Sequence, residues 1–243
     1  MKTICLIIVL SLACTLARGQ EKKNVIKVLP LSFSLNSAAF EYERMLNEKN
    51  ALEFGIGLPI KRTFVDKFGM DWSEDEMISN DELGIFSLRA AYRHYTGQSM
   101  LPKGFYIAPF IRYQGIAASA DNLRTIEDDL GNSTYNEDYS AKIKTIGAGF
   151  QLGYQFLISE TVSIDLFFFG LEAGLGKVNA DIYISDPEQV DDIFNDVKDV
   201  IDDLPSFWKN KIEVTSSSDY VYIKGKNLFY PMYRGGISLG IAF

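Results

Sequence analysis

The sequence predicts an all-β fold, an eight-stranded antiparallel up-and-down β-barrel with one amphipathic helix in its last long loop. Two observations support this prediction. Segments rich in apolar residues alternate with a period of two, which is typical of strands with two different faces. The connections between those segments alternate short and long, so the long ones collect at one end of the fold. This pattern is typical of a barrel that crosses a bilayer, with apolar residues outward and small or polar residues inward.

The C-terminal segment shows the alternation most clearly. Its apolar face carries Tyr233, Ile237, Leu239, Ile241 and Phe243, and its other face carries Arg234, Gly236, Ser238, Gly240 and Ala242. Seven earlier segments alternate in the same way. The predicted strands are therefore about 25–35, 39–46, 51–60, 82–95, 105–117, 142–157, 161–176 and 233–243. In the first of them, the apolar face is expected to carry Leu29, Leu31, Phe33 and Leu35.

The connections are predicted from the same segments. Short ones are expected at 47–50, 96–104 and 158–160, and long ones at 61–81, 118–141 and about 178–228. The last of these contains apolar residues at three- and four-residue spacing from Val190 to Leu204, which predicts a helix whose opposite face is rich in aspartate. Pro187 suits the first helical position, and Pro205 is expected to end the helix.

The N-terminus is typical of a secretory signal peptide, predicted to be residues 1–19. A positively charged start precedes the apolar run 4–14, and small residues precede a cut before Gln20. Lipidation of Cys14 after an earlier cut remains an alternative. Both cysteines of the chain lie in this leader, so the barrel domain, 20–243, is expected to form neither disulfides nor thiolate metal sites.

Composition excludes several classes of function. The formal net charge of −8 argues against nucleic acid as a partner, because duplex affinity depends on Lys and Arg that neutralise phosphates. No run of eighteen consecutive apolar residues follows the leader, which makes helical membrane spans unexpected. The chain has a single histidine, which removes His-rich metal clusters. We therefore expect no cofactor and no metal site.

Charged residues on the inward faces of the predicted strands are the candidate site. Eight strands enclose an interior that side chains nearly fill, so charges there must pair or keep water. A network of salt bridges that replaces a hydrophobic core is expected, and a narrow proton or ion path is the alternative. The residues that alternation places inside are Glu41, Glu43, Glu53, Arg89, Arg93, Arg112, Asp165, Glu172 and Arg234.

Other features have weaker implications. His94 lies near the end of its strand, where a role at the interface or in the turn is expected rather than catalysis. Acidic clusters occur in the predicted loops at 71–76 and 127–138 and on the predicted helix. They are expected to keep the loops soluble, or alternatively to bridge to lipopolysaccharide through divalent cations. Aromatic residues near strand ends are expected to form interfacial girdles: Tyr92, Tyr95, Phe105, Tyr113, Tyr154, Phe156, Tyr230, Tyr233 and Phe243.

Four stretches of the chain resemble a known superfamily: the start at Gln20, the strand Phe40-Glu41-Tyr42-Glu43-Arg44, the strand 52–58 and the terminal strand 236–243. They are similar to the small eight-stranded outer-membrane β-barrels of Gram-negative bacteria, the outer membrane protein A–like and X-like superfamily. The resemblance implies a location in the bacterial outer membrane and a monomeric state. It also implies contact with outer-membrane lipids and lipopolysaccharide, and with the barrel assembly machinery through Phe243 as the assembly signal.

The sequence therefore predicts a non-enzymatic integral outer-membrane barrel whose acidic loops form the functional surface. A soluble, secreted lipocalin-like barrel that holds an apolar ligand is the alternative. A narrow ion path or an outer-membrane lipid hydrolase comes third. The direction of one set of side chains on the third predicted strand separates the first two hypotheses: Leu52, Phe54, Ile56 and Leu58.

Overall fold

Nine strands make up most of the structure, a computed structural model that describes residues 22–60, 82–128 and 131–243. The predicted leader and the predicted connection 61–81, with its acidic cluster, lie outside the described residues. The strands are β1 Asn24–Leu29, β2 Ser37–Met45, β3 Asn50–Pro59, β4 Glu82–Tyr95, β5 Gly104–Asp128, β6 Gly131–Ile158, β7 Val162–Ile184, β8 Ile212–Ser216 and β9 Tyr220–Ala242. The helices are two 3-10 turns, Pro30–Leu35 and Pro187–Gln189, and two α-helices, α1 Val190–Asp202 and α2 Ser206–Lys209.

All strand pairs are antiparallel, and eight of the strands close into a ring. The order is β1-β2-β3-β4-β5-β6-β7-β9, and β1 pairs with β9 to complete it. Strand β8 pairs with β9 alone and lies outside the ring. The prediction of an all-β antiparallel fold is confirmed, with nine strands in place of eight.

Both ends of the described chain meet at one end of the barrel. The backbone N–H of Asn24 donates to the carbonyl of Phe243 at 3.1 Å, and the N–H of Phe243 donates back at 2.9 Å. The connections after β2, β4 and β6 lie at this same end, which we call the proximal end. A small apolar cluster fills the interior here: Met45, Ala51, Ala91, Tyr95, Tyr106, Ala108 and Phe110.

The opposite, distal end carries an extended sheet. Strands β5, β6, β7 and β9 continue past the pairing of Glu82 with Ser119, where β4 begins. We call this part the distal sheet: residues 120–128, 131–139, 178–184, 212–216 and 220–226. The segment predicted to be loop at 118–141 is thus largely strand, and the one at 178–228 contains strand at both ends and helices between them. In the distal sheet the apolar–polar alternation of the sequence fades, so the sequence resembles a loop while the backbone ladder continues.

The first predicted strand is wrong in its second half. β1 ends at Leu29, and Pro30–Leu35 forms a 3-10 helix that is closed by Asn36 with a φ of 49°. Pro30 has no N–H for the ladder, which favours this ending. The leucine and phenylalanine residues at every second position in 29–35 have the spacing of a strand, although residues 30–35 are helical. Within β1, Lys27 has the parity expected to be apolar and outward, yet it is buried inside the barrel, whereas Ile26 is exposed.

The two faces of the barrel wall differ in chemistry. On β3, Phe54 is 54% exposed, Ile56 39% and Leu58 43%, whereas Glu53, directly before Phe54, is 1% exposed. Leu52 is half-buried on the outer parity. The same alternation runs along β5, β6, β7 and β9. At Phe168 and Phe169 the register with β9 shifts, and both neighbouring rings are exposed.

Candidate functional site

The barrel interior holds two groups of charged side chains, one above the other. The proximal cluster consists of Lys27, Glu43, Glu53, Arg93 and Asp165. The medial cluster lies further from the termini and consists of Glu41, Arg89, Arg112, Glu172 and Arg234. All nine residues that alternation placed inside are in these clusters.

Lys27 is at the centre of the proximal cluster. Its Nζ lies 2.5 Å from Glu43 Oε2, 3.2 Å from Glu53 Oε2 and 3.0 Å from Asp165 Oδ2. Arg93 contributes a second cation, 2.6 Å from Asp165 Oδ2 and also paired with Glu53. All five side chains are fully buried. Buried charges are tolerated only when they are paired and hydrogen-bonded in this way.

Neutral polar groups complete the proximal cluster. Gln155 Oε1 accepts hydrogen bonds from Lys27 Nζ at 2.8 Å, Arg93 Nη1 at 2.9 Å and the Tyr95 hydroxyl at 3.2 Å. Tyr106 donates to Asp165 Oδ1 at 2.8 Å, and its ring lies under the Arg93 guanidinium with the Cζ 4.2 Å from the ring centroid. Gln151 Nε2 donates to the Tyr106 hydroxyl at 2.9 Å. Side chains therefore fill the barrel at this level.

The medial cluster is joined to the proximal one through Glu53, which also pairs with Arg89. Glu41 Oε1 accepts from Arg89 Nη2 at 2.6 Å and from Arg234 Nη2 at 3.1 Å. Arg112 pairs with Glu172 at 2.8 Å beside this chain of contacts. The structure thus connects seven of the nine predicted residues with Lys27, and the Arg112–Glu172 pair lies alongside.

The charges balance over the two clusters together and not within each cluster. The proximal cluster has two cations and three carboxylates, and the medial cluster has three cations and two carboxylates. The excess negative charge near the termini is therefore offset by an excess positive charge midway along the barrel.

Sequence reasoning missed several members of the network. The pattern does not reveal Lys27, because the leucines of 25–35 predict that the odd-numbered face of this segment is apolar. Tyr95 was predicted to lie in an interfacial girdle, but it is 1% exposed and points inward, which is a correction. Its parity with Arg89 and Arg93 on the same strand was the signal that could have placed it. Gln155 has the inward parity of its strand but no charge to single it out.

His94 and Phe243 lie away from the clusters. His94 is exposed, and its Nδ1 is 2.8 Å from Asn50 Oδ1, a contact that supplies neither a nucleophile nor an acid. Phe243 is half-buried and pairs through its backbone with Asn24. Within residues 22–60, 82–128 and 131–243, no group of three metal-ligating side chains comes together for a metal ion. None of the helices in those ranges has the length and apolarity to span a membrane.

The distal sheet has its own apolar core beneath α1. Buried residues of β6, β7, β9 and α1 form it, and half-buried residues of β6, α1 and β8 pack against it: Tyr135, Ile182, Ile184, Val190 and Val221, with Tyr139, Ile193, Phe194, Val197 and Val214 around them. The aspartates of α1 lie on its exposed face. At its C-terminal end, a hydrogen bond from Lys209, 2.8 Å from Asp202 Oδ1, lowers the pKa of the Asp202 carboxyl.

Comparison with protein-family models, with curated proteins and with solved structures gives no match for this chain.

Proposed function

We propose that the chain is an integral outer-membrane β-barrel protein of a Gram-negative bacterium, without enzymatic activity, whose distal sheet is the surface that meets the outside. The observation that carries this proposal is the inverted distribution of side chains. Charged groups fill the interior, whereas leucine, isoleucine and phenylalanine cover the outer wall. Exposure of that wall to water would cost a free energy of roughly 25 cal/mol for each Å² of apolar surface.

The apolar band has the height of a bilayer core. On β6 the outward apolar residues run from Ile146 to Ile158, and on β7 they run from Val162 to Leu175. The β6 span corresponds to a height of roughly 30 Å along the barrel axis for strands tilted by about 40°. A continuous band of this size is much larger than the apolar patches of soluble monomers.

A row of lysines marks the distal rim of the band. Lys144 on β6 is registered with Lys177 on β7, which is registered with Lys226 on β9. All three side chains are exposed. Like charges directly opposite each other on neighbouring strands are unfavourable unless anions lie nearby. Phosphates of lipopolysaccharide or of phospholipid head groups supply such anions at this height, so lipid phosphate becomes a direct partner of the rim.

The filled interior favours a structural and surface role over transport. At the level of the proximal cluster, Lys27, Glu43 and Arg93 are fully buried and bonded to each other or to shared partners. A hydrated ion path would need those contacts to open. A lipocalin-like protein would need an apolar interior, whereas charged residues are buried there. The distal sheet, with the exposed aspartates of α1, is the part available for contact with other molecules.

Expression of the full chain in a Gram-negative host tests the proposal. The protein is expected in the outer-membrane fraction, with slower gel migration after boiling than before. Phe243→Asp is expected to reduce the folded, membrane-inserted fraction severalfold, because the substitution removes the assembly signal. Phe207→Asp is the matched control, since this ring is exposed on α2 at the distal end. Recovery of the wild-type protein as a soluble periplasmic monomer would overturn the proposal.

A further inference from the structure

The barrel wall has a gap where β1 stops short. β1 pairs with β9 through only four residues, Val25–Val28 against Leu239–Ala242. At the distal end, β8 covers the same edge of β9 only as far as Gly225, and Trp208 donates to the Phe229 carbonyl at 2.7 Å. Between these points, in the part of the chain that the structure describes, residues 230–238 of β9 have no strand partner on that side.

The 3-10 helix Pro30–Leu35 lies beside this edge in place of a strand. It cannot continue the ladder, because Pro30 ends the extended conformation of β1. The gap lies at the height of the apolar band. Backbone groups without hydrogen-bond partners are strongly disfavoured in hydrocarbon, so an open strand edge at this depth needs polar groups nearby.

A cleft of about 190 Å³ lies behind the gap. Its outer walls include Leu31, Leu35 and Ile237, and its inner walls include Arg89, Arg112 and Arg234. The cleft therefore passes from an apolar mouth to a polar base. Its volume suits a phosphate or carboxylate group with some water, since one water occupies about 30 Å³ in the liquid.

The base of the cleft holds more cations than carboxylates, although Arg89 and Arg112 also pair with Glu53 and Glu172, which are not among its lining residues. Three arginines line it, and Glu41 is the one carboxylate among its described lining residues. Glu41 Oε1 is already shared by Arg89 and Arg234, whereas Glu41 Oε2 is buried and has no hydrogen-bond partner within the described residues. Arg89 Nη1 and Arg112 Nε are buried and have no hydrogen-bond partner within the described residues. Guanidinium groups with free N–H donors are suited to carboxylate and phosphate oxygens, which they bind in pairs.

A tail would find an apolar surface directly outside. A depression of about 620 Å³ on the outer wall shares Phe40 and Ile56 with the cleft, and Phe54, Leu88 and Ile111 extend it. A free anion would have to cross hydrocarbon to reach the gap, whereas an anion attached to an acyl chain arrives within the membrane. The geometry points to a lipid amphiphile, whose anionic head group enters the cleft between the 3-10 helix and β9 while its chain stays on the outer wall. This inference rests on the proposed membrane location.

Native mass spectrometry of the full chain, purified from outer membranes into an uncharged maltoside detergent, tests the inference. The probe is dodecyl phosphate, with inorganic phosphate as the head group alone and dodecanol as the tail alone. We expect one dodecyl phosphate to bind, inorganic phosphate to bind at least tenfold more weakly, and dodecanol to compete poorly. Equal affinity for inorganic and dodecyl phosphate would overturn the lipid assignment, and equal affinity for dodecanol would overturn the anion site.

Variants locate the site. Arg112→Gln and Arg234→Gln are each expected to weaken dodecyl phosphate binding by about tenfold, the factor that a charge-assisted hydrogen bond is worth. Arg112→Lys keeps the charge and is expected to retain most of the affinity. Arg44→Gln is the control, because Arg44 is an exposed arginine near the proximal end. Unchanged binding in both glutamine variants would overturn the proposal.

Two further measurements separate the possible failures. Gel migration before and after boiling shows whether each variant has folded, and the wild-type comparison of the three probes stands even if one variant does not fold. Membrane fractionation reports the location of the protein independently. A barrel in the outer membrane without a bound amphiphile would therefore contradict this inference alone.

Discussion

Lys27 and Asp165 are separated by 138 residues in the sequence, yet Lys27 Nζ lies 3.0 Å from Asp165 Oδ2 inside the barrel. Lys27 is on β1 and Asp165 is on β7, the two neighbours of β9 in the ring. The pair therefore spans the last strand of the chain from one side to the other. Because β1 and β9 share only four paired residues, this interior contact reinforces the weakest part of the closure.

Removing the Lys27 charge is expected to destabilise the barrel strongly. Lys27→Met would leave Glu43, Glu53 and Asp165 facing Arg93 as the remaining cation of the proximal cluster. Breaking a buried ion pair from one side costs about 3–5 kcal/mol. We expect the urea midpoint for loss of the fast-migrating folded band to fall markedly. Lys103→Met, an exposed lysine in the proximal connection after β4, should leave that midpoint unchanged. Equal midpoints for both variants would contradict the role assigned to the cluster.

The attachment of α1 depends on its buried valine. Val190 is 4% exposed, whereas Val200 on the same helix is 67% exposed. Val190→Asp would place a charge in the apolar core of the distal sheet, where it has no partner. We expect proteolysis within 185–219 to accelerate about tenfold or more, while the barrel keeps its migration shift on boiling. The protease should cleave Val200→Asp at the wild-type rate. Faster cleavage of both variants would argue against the packed arrangement of α1.

The lysine row predicts a lipid preference. Lys177 lies between Lys144 and Lys226 in the register, so Lys177→Glu changes the charge at the centre of the row. We expect the amount of lipopolysaccharide that copurifies with the barrel to fall severalfold, measured as bound phosphate per protein. Lys103→Glu, at the proximal end, is the control. A similar loss of bound phosphate in the control variant, or no loss of bound phosphate in Lys177→Glu, would refute a specific contact at the rim.

Alternation predicts which residues share a face, and much of the interior follows from it. Glu53 and Phe54 are neighbours in sequence, and the structure places them on opposite sides of the wall. The pairing partners did not follow, because register depends on hydrogen bonding between distant strands. Glu53 contacts Lys27, Arg89 and Arg93, which no spacing in the sequence specifies.

Two parts of the fold could not be predicted for physical reasons. Leu29 to Leu35 has the period of a strand, but Pro30 removes a ladder donor and a 3-10 helix forms instead. The hairpin that joins β5 to β6 extends to Asp128 and Gly131, well past the apolar band. Without an apolar face the period-two signal weakens there, so its polar residues resemble a loop. The cleft between the 3-10 helix and β9 is a consequence of the first of these features.

The contact of the outer wall with hydrocarbon is the central claim, and spin-label accessibility tests it most directly. Single cysteines at Ile56, Phe150 and Lys142, each carrying a nitroxide, would be measured in lipid vesicles for collision with oxygen and with an aqueous nickel reagent. We predict frequent oxygen and rare nickel collisions at Ile56 and Phe150, and the reverse at Lys142, which lies beyond the band on the same strand as Phe150. Frequent nickel collisions at Ile56 and Phe150 would contradict the account.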